Sequence, residues 1–172
     1  MITFGTEAPA EAGAREALLD RAMGRARVLK PSERLRRGRA PADGLSLVAR
    51  SAGRLVGSVR LWHIAAGDRP ALLLGPLAVD PSAQGKGIGA GLMNFAVARA
   101  RELGHRAIIL VGDPEYYQRF GFTAALVAAL AMPAKVERRR LLGIELAAGG
   151  LAEAEGRIVA TGAMLARPRV AA

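Results

Sequence analysis

Four glycines, Gly85, Gly87, Gly89 and Gly91, stand between an apolar run and an amphipathic one. Glycine in such a loop costs folding entropy, so this density implies unusual dihedrals or close approach of a ligand to bare backbone. A helix start preceded by glycines also offers unpaired amides and the positive end of the helix dipole, which together suit an anion. Gln84-Gly85-Lys86-Gly87-Ile88-Gly89 has that form, and a pyrophosphate is the group expected there. An ATPase phosphate loop is excluded, because it needs serine or threonine after the lysine and Lys86 is followed by Gly87. A dinucleotide fingerprint fits Gly85-x-Gly87-x-x-Ala90 with Asp113 at the end of the next strand. Its glycines should begin at the strand end, however, and Asp80 to Gln84 intervene here.

Few other residues could do chemistry. Cysteine is absent, which excludes disulfides, thiolate metal sites and a cysteine nucleophile. His63 and His105 are the two imidazoles, and neither has a carboxylate at ligand spacing, so no metal site is expected. The paired phenols Tyr116-Tyr117 and the carboxylates Asp80 and Asp113 remain.

The elements that must position these residues follow from periodicity. Residues 2–7 suggest a short strand, and Ala10 to Gly24 a helix with Ala14, Leu18, Leu19 and Ala22 on one face. Lys30 to Asp43 is arginine-dense and broken by Pro31, Gly38 and Pro41, which allows a short helix bounded by loops. Leu45 to Ser51 and Arg54 to Trp62 read as a hairpin turning at Ala52-Gly53, and Gly67 to Pro70 as a further turn. Ala71 to Val79 is almost wholly apolar, as a mid-sheet strand covered on both faces would be. From Gly87 a helix runs to a stop at Gly104, and Ala107 to Val111 is a second buried strand. That strand, helix and strand form a right-handed crossover, so its two strands should be parallel, with antiparallel pairing before it. Asp113-Pro114-Glu115 starts a short helix that Gly121 ends, and Leu141 to Leu146 and Arg157 to Thr161 suggest late strands.

Gln84-x-x-Gly87-x-Gly89, set between that strand and that helix, resembles motif A of the GNAT superfamily of N-acetyltransferases. "GDPEYYQRFGF" at 112–122 resembles the superfamily's motif B, in the right order downstream, and looks like the form found in one subgroup of predicted acetyltransferases. The resemblance spans residues 2–147 and is strongest over 75–122. It implies an α/β (α+β) fold, with a mixed, mostly antiparallel sheet, a parallel pair after the acetyl-CoA loop, and flanking helices. One N-acetyltransferase domain over 1–172 is expected, with 148–172 as a C-terminal extension of the kind the subgroup often carries.

The function so implied is acetyl transfer from acetyl-CoA, as cosubstrate, to a primary amine of a small molecule or protein by direct attack. The acetyl-CoA site would comprise Leu77, Ala78, Val79, Gln84, Gly85, Lys86, Gly87, Ile88, Gly89, Asp113, Tyr117 and Phe120. Within it, Leu77-Ala78-Val79 resembles the bulged strand end beside the pantetheine arm, where the backbone N–H of Val79 or its neighbour would polarise the thioester carbonyl. Phe120 would be a wall, and Tyr116 a packing residue. Tyr117 matches the tyrosine of motif B, and its phenol, protonated at neutral pH, is the expected general acid. Many members place a glutamate on the motif A strand as a base, whereas Ala71 to Val79 contains no acid. Asp80, His63 and Asp113 are the alternatives, and the missing glutamate also leaves open a non-catalytic acyl-CoA sensor.

The formal charge of +10 favours an acidic partner. Only Lys30, Lys86 and Lys135 among the 25 basic residues are lysine, however, and an arginine- and alanine-rich chain reads as codon bias. Arg34, Arg36, Arg37, Arg39 and Arg138-Arg139-Arg140 lack interleaved aromatics for base stacking, which argues against nucleic acid. No apolar stretch reaches the length of a membrane span and the N-terminus lacks signal-peptide character, so no membrane partner and a cytoplasmic location are expected. A homodimer is compatible with all of this. By the resemblance, segment 25–40, the strand around Trp62 and the C-terminal part would frame the acceptor site. Its basic rim would favour amines carrying a carboxylate or phosphate.

Overall fold

Ala71-Leu72-Leu73-Leu74 shows no polar alternation because both faces of its strand are covered. In the computed structural model, which describes residues 1–166, the chain begins with β1 (Ile2–Thr6) and α1 (Ala12–Met23). The meander β2 (Ser46–Ser51), β3 (Arg54–Ala66) and β4 (Arg69–Val79) follows, then α2 (Ile88–Glu102), β5 (Ala107–Val111) and α3 (Pro114–Tyr117). The last elements are β6 (Leu130–Ala131), β7 (Leu141–Glu145) and β8 (Gly156–Ala160). The central sheet has the order β1-β2-β3-β4-β5-β7, antiparallel throughout except for the parallel pair β4 and β5. This matches the mixed architecture expected from the crossover. Among the described residues, no helix is long and apolar enough to cross a membrane.

The strand alternation divides the core. Leu47, Ala49, Leu61, Leu72 and Leu74 pack with Ile88, Leu92, Met93 and Ala96 of α2, while Val48 and Ala78 meet Leu18 and Leu19 of α1 on the opposite face. A further cluster joins Trp62, Ile64, Leu73 and Ile109 to Leu151, Ala154 and Ile158. Residues after 147 therefore complete a core, since β8 pairs antiparallel with Ile64, Ala65 and Ala66 of β3. Residues 167–172 of the expected extension lie outside the described residues. Other departures from expectation are local. β3 continues past Trp62 to Ala66, so its turn into β4 shrinks to Gly67-Asp68, and the two-residue β6 adds a second parallel pairing, with β8. The short helix of the arginine-dense segment is a 3-10 helix, Pro31–Leu35, and another, Arg25–Leu29, precedes it.

One irregularity shapes the site. Val59 faces Leu77 and Leu61 faces Leu74, so Arg60 of β3 alone opposes Gly75 and Pro76 of β4. This is a β-bulge, and it falls where proline cannot supply a ladder N–H. The Trp62 indole Nε1 donates to the Gly75 carbonyl at 2.6 Å and fixes the distortion. β4 meets β5 only at Leu72 with Ile108 and Leu73 with Ile109, and beyond the bulge the two strands part. The resemblance set the bulge at Leu77-Ala78-Val79, and it lies just upstream because Gly75-Pro76 is where the ladder fails.

Candidate active site

The glycine loop opens one side of the gap between β4 and β5. Gly85 and Gly87 have φ of 76° and 73°, which would cost other residues roughly 1–2 kcal/mol. Gly87 is the N-cap of α2, and the first helical hydrogen bond runs from the Gly91 N–H to the Gly87 carbonyl at 2.9 Å. The N–H groups of Ile88, Gly89 and Ala90 thus lack intrahelical acceptors, and a glycine cap brings no side chain to them. They face a cleft of about 420 Å³, lined by Leu77, Val79, Gln84, Gly85, Gly87, Tyr116 and Arg119 among others. Gly91 serves packing instead, since a Cβ there would lie 2.3 Å from the Phe4 ring of β1.

Asp80 anchors the approach to this loop. Its carboxylate accepts from the Ser82 N–H at 3.0 Å, the Ser82 hydroxyl at 2.7 Å and the Arg21 guanidinium at 2.9 Å. Those donors, Ser82 first, hold its pKa down to about 2. A carboxylate so stabilised is a weak base, and Asp80 leaves the list of candidates. His63 leaves it too: its ring lies 5.5 Å from His105, beyond the far end of α2. Fifteen helical residues separate that end from the glycine loop, roughly 22 Å at 1.5 Å per residue.

A second cleft, also about 420 Å³, occupies the gap itself and meets the first at Leu77 and Tyr116. Leu74 to Leu77 form one wall and Leu110 to Asp113 with Tyr116 and Tyr117 another, while Met23, Lys30, Ser32, Arg36 and Arg140 complete the lining. Tyr117 is held by contact with the bare Gly112 backbone, where a Cβ would stand 2.3 Å from its ring, and by an edge contact with Phe122. Burial, with Tyr116 adding to it, pushes the Tyr117 phenol up to about 12. Asp113 occupies the N-cap position of α3, but its side chain makes no cap hydrogen bond. A hydrogen bond with Glu115 raises its pKa above the usual aspartate range. It is the one carboxylate in this lining.

The sequence-derived site residues thus separate into groups. Leu77, Val79, Gln84, Gly85, Gly87, Ile88 and Gly89 share the first cleft, and Asp113 and Tyr117 share the second. The Ala78 side chain turns away to α1, as strand alternation requires. Lys86 lines a different hollow with Ile2, Ser51 and Arg54, because the left-handed turns on either side of it swing its side chain off the cleft. Phe120 packs on the core and against Tyr116, 5.5 Å between ring centroids, rather than walling either cleft. Tyr116, expected to pack, borders both clefts, with its hydroxyl 3.1 Å from where a Gly89 Cβ would stand. Arg119, which the sequence alone does not separate from a surface residue, lies 4.6 Å over the Tyr116 ring and is the cation of the first cleft. Its spacing of three from Tyr116 in a helical turn was the available signal.

A bulged strand, a splayed parallel pair and a glycine-capped helix now stand together. Residues 42–124 match the family model described as an acetyltransferase (GNAT) domain. The fold superposes on YhbS from Escherichia coli, whose crystal structure is a complex with CoA, with a TM-score of 0.77, 26% identity and coverage of 93% of this chain and 89% of that one. The matched segment belongs to the GNAT superfamily, and the fold around it is that of a GNAT family member. A GNAT family acetyltransferase from Brucella melitensis, solved in complex with acetyl-CoA, gives a TM-score of 0.66 at 26% identity, covering 84% of this chain and 88% of its own. In sequence, the uncharacterized N-acetyltransferase YjhQ of Escherichia coli is 37% identical over 82 residues, 45% of either protein. The match thus spans under half the length of that curated relative. The two clefts lie at the start of α2 and between β4 and β5, within or beside the matched GNAT segment.

Proposed function

We propose that the chain is an N-acetyltransferase that moves the acetyl group of acetyl-CoA to a primary amine by direct attack. One observation carries this reading. Three helix-start amides without intrahelical acceptors open into a cleft that continues, past Leu77 and Tyr116, into the gap between two parting parallel strands. A pyrophosphate suits the amides of Ile88, Gly89 and Ala90, with Arg119 adding positive charge. The free edge of Leu77 to Val79 suits an extended amide-bearing arm, because alternate residues there direct backbone groups toward the gap. An unpaired amide on that edge, at Val79 or its neighbour, polarises the thioester carbonyl.

Tyr117 and Asp113 divide the proton work. An alkyl ammonium with a pKa near ~10.4 is only about one part in a thousand neutral at pH 7, so a base helps. Asp113 takes the surplus ammonium proton, and its raised pKa makes it a better base than Asp80. The amine nitrogen then bonds to the thioester carbon, the carbon–sulfur bond breaks, Tyr117 protonates the departing sulfur, and the proton lost from the acylated nitrogen returns to the Tyr117 oxygen. A phenol held near 12 stays protonated at neutral pH and can serve as donor.

The test is a thermal-shift titration with acetyl-CoA followed by an assay of thiol release with amines. Ligand at 100 times its Kd should add about 2.7 kcal/mol of stability. An unchanged melting temperature at millimolar acetyl-CoA sinks the reading. Binding without turnover of any amine would move the protein to the sensor class.

A further inference from the structure

The second cleft contains a cation that its surroundings do not neutralise. Arg36 is 7% exposed, and its Nε is buried without a hydrogen-bond partner. Its one carboxylate neighbour is Glu33, 3.1 Å from Nη2. Its Nη1 lies against the β4 bulge, 3.1 Å from where a Cβ on Gly75 would stand, so the bare backbone of Gly75 makes room for the guanidinium. Behind it, Arg36 borders a smaller hollow of about 240 Å³ whose lining holds six arginines and two glutamates; Glu7 pairs with Arg15 and Arg60 and Asp20 with Arg27, which leaves four carboxylates against six cations, and Arg60 keeps its Nε buried and unpartnered. Glu33 therefore does not cancel the local positive potential. Burying a charged donor without full pairing is costly, and a group that persists in this state is suited to an anion arriving from outside. Burial also pushes the Arg36 pKa down, a cost that an anion would offset.

Asp113 is the one carboxylate of this lining against three cations, Lys30, Arg36 and Arg140, and Arg140 stands beside it, its Nε donating to the Gly112 carbonyl at 3.4 Å. Asp113 and the Tyr117 phenol face the same cleft from the β5 end, while Arg36, with Lys30 at the rim, faces it from the segment after α1. A small amine that also carries an anion suits a lining with this excess of cations, whereas a polyamine would set positive charge against Arg36 and Arg140. The cleft volume of about 420 Å³ lies within the usual range for small ligands.

Resting on the acetyl-transfer reading, we propose that the acceptor is a small amine that also carries a carboxylate or phosphate. Arg36 receives the anion and thereby presents the amine to Tyr117 and Asp113. Arg36 is thus a specificity-determining residue.

Matched amines test this on the wild-type protein by thiol release from acetyl-CoA. The panel is the set of proteinogenic amino acids, each against its decarboxylated amine, and 2-aminoethyl phosphate against ethanolamine. At least one anionic member should exceed its neutral partner in kcat/KM by about 100-fold, because a site built to pair a polar group rejects the analogue lacking it. The amino-acid and phosphate arms separate the two anion sources. Arg36→Met should remove the preference by lowering kcat/KM for the anionic member about 100-fold, with the acetyl-CoA thermal shift unchanged. Should that variant fail to fold, Glu33→Gln decides, since it frees Arg36 from its competitor and should lower KM for the anionic amine only.

Equal rates for neutral and anionic partners overturn the inference. So does a protein that binds acetyl-CoA and acetylates no anionic amine of the panel, and that result leaves acetyl-CoA binding intact. Loss of acetyl-CoA binding itself overturns the transfer reading and this inference with it, and the thermal shift identifies that case before any amine is added.

Discussion

The two clefts that meet at Leu77 and Tyr116 are built by different means. The first presents mostly backbone: left-handed turns at Gly85 and Gly87, three amides of α2 and the free edge of β4. The second is built from side chains that arrive from the segment after α1, the β4 bulge, the β5 end and the loop before β7. A backbone site tolerates change in neighbouring side chains and recognises a constant group. A side-chain site can be retuned residue by residue, which suits the half of a transferase that chooses its acceptor.

The sharpest way to break this contrast is to alter the backbone site alone. Gly87→Glu puts an anion and a strained φ at the helix cap, and acetyl-CoA affinity should fall by about 1,000-fold or more, measured by thermal shift or calorimetry. Gly87→Ala carries the strain without the charge, costs roughly 1–2 kcal/mol of stability, and should keep most of the affinity. Equal affinity losses in the two variants would mean that the loop supplies shape and no anion site.

A change confined to the second cleft should leave binding alone. Tyr117→Phe removes a proton donor and keeps the ring against Gly112, so kcat should drop by about 100-fold with acetyl-CoA affinity unchanged. Full kcat in this variant would remove Tyr117 from the reaction.

Legibility followed the same division. The glycine spacing, the parallel crossover and the tyrosine pair were readable because each depends on residues close together in sequence. β5 begins and ends where the pattern placed it, at Ala107 and Val111. Gly75-Pro76 within an apolar run was a signal of a bulge, and it was masked by reading Ala71 to Val79 only for its apolarity. Lys86 shows the limit from the other side, since the glycines that make the loop legible also rotate its one cation away from the cleft. Arg36 was not distinguishable among the arginines of 34–39, because only the packing of Pro31–Leu35 against the core turns it inward. Leu151 and Ile158 were missed as core for a similar reason: their partners lie on β3, β4 and β5, far away in sequence.

A smaller effect tests the division of proton work. A base must be deprotonated, so kcat/KM should fall as pH drops through the Asp113 pKa, which the Glu115 hydrogen bond sets above the ordinary aspartate range. Asp113→Asn should lower kcat/KM by about tenfold at pH 7 and abolish that acid limb. An alkaline fall owed to Tyr117 should not appear until pH nears 12, because the phenol acts in its protonated form. An unaltered acid limb in Asp113→Asn would assign the proton to water or to the substrate.

The smallest predicted effects concern which cation belongs to the first cleft. Arg119 borders it and is held by its Nε donating to the Tyr116 carbonyl at 3.0 Å, whereas Lys86 projects into the hollow beside Ser51 and Arg54. An exposed cation near a phosphate contributes on the order of 1 kcal/mol, so Arg119→Ala should weaken acetyl-CoA binding by about fivefold at low salt. Lys86→Ala should stay within about twofold, as an exposed charge off the site does. Raising the salt concentration should shrink the Arg119 effect, since the interaction is screened. A larger loss from Lys86→Ala than from Arg119→Ala would reverse the assignment and place the phosphates on the β1–β2 side of the loop, away from Tyr116 and the gap between β4 and β5.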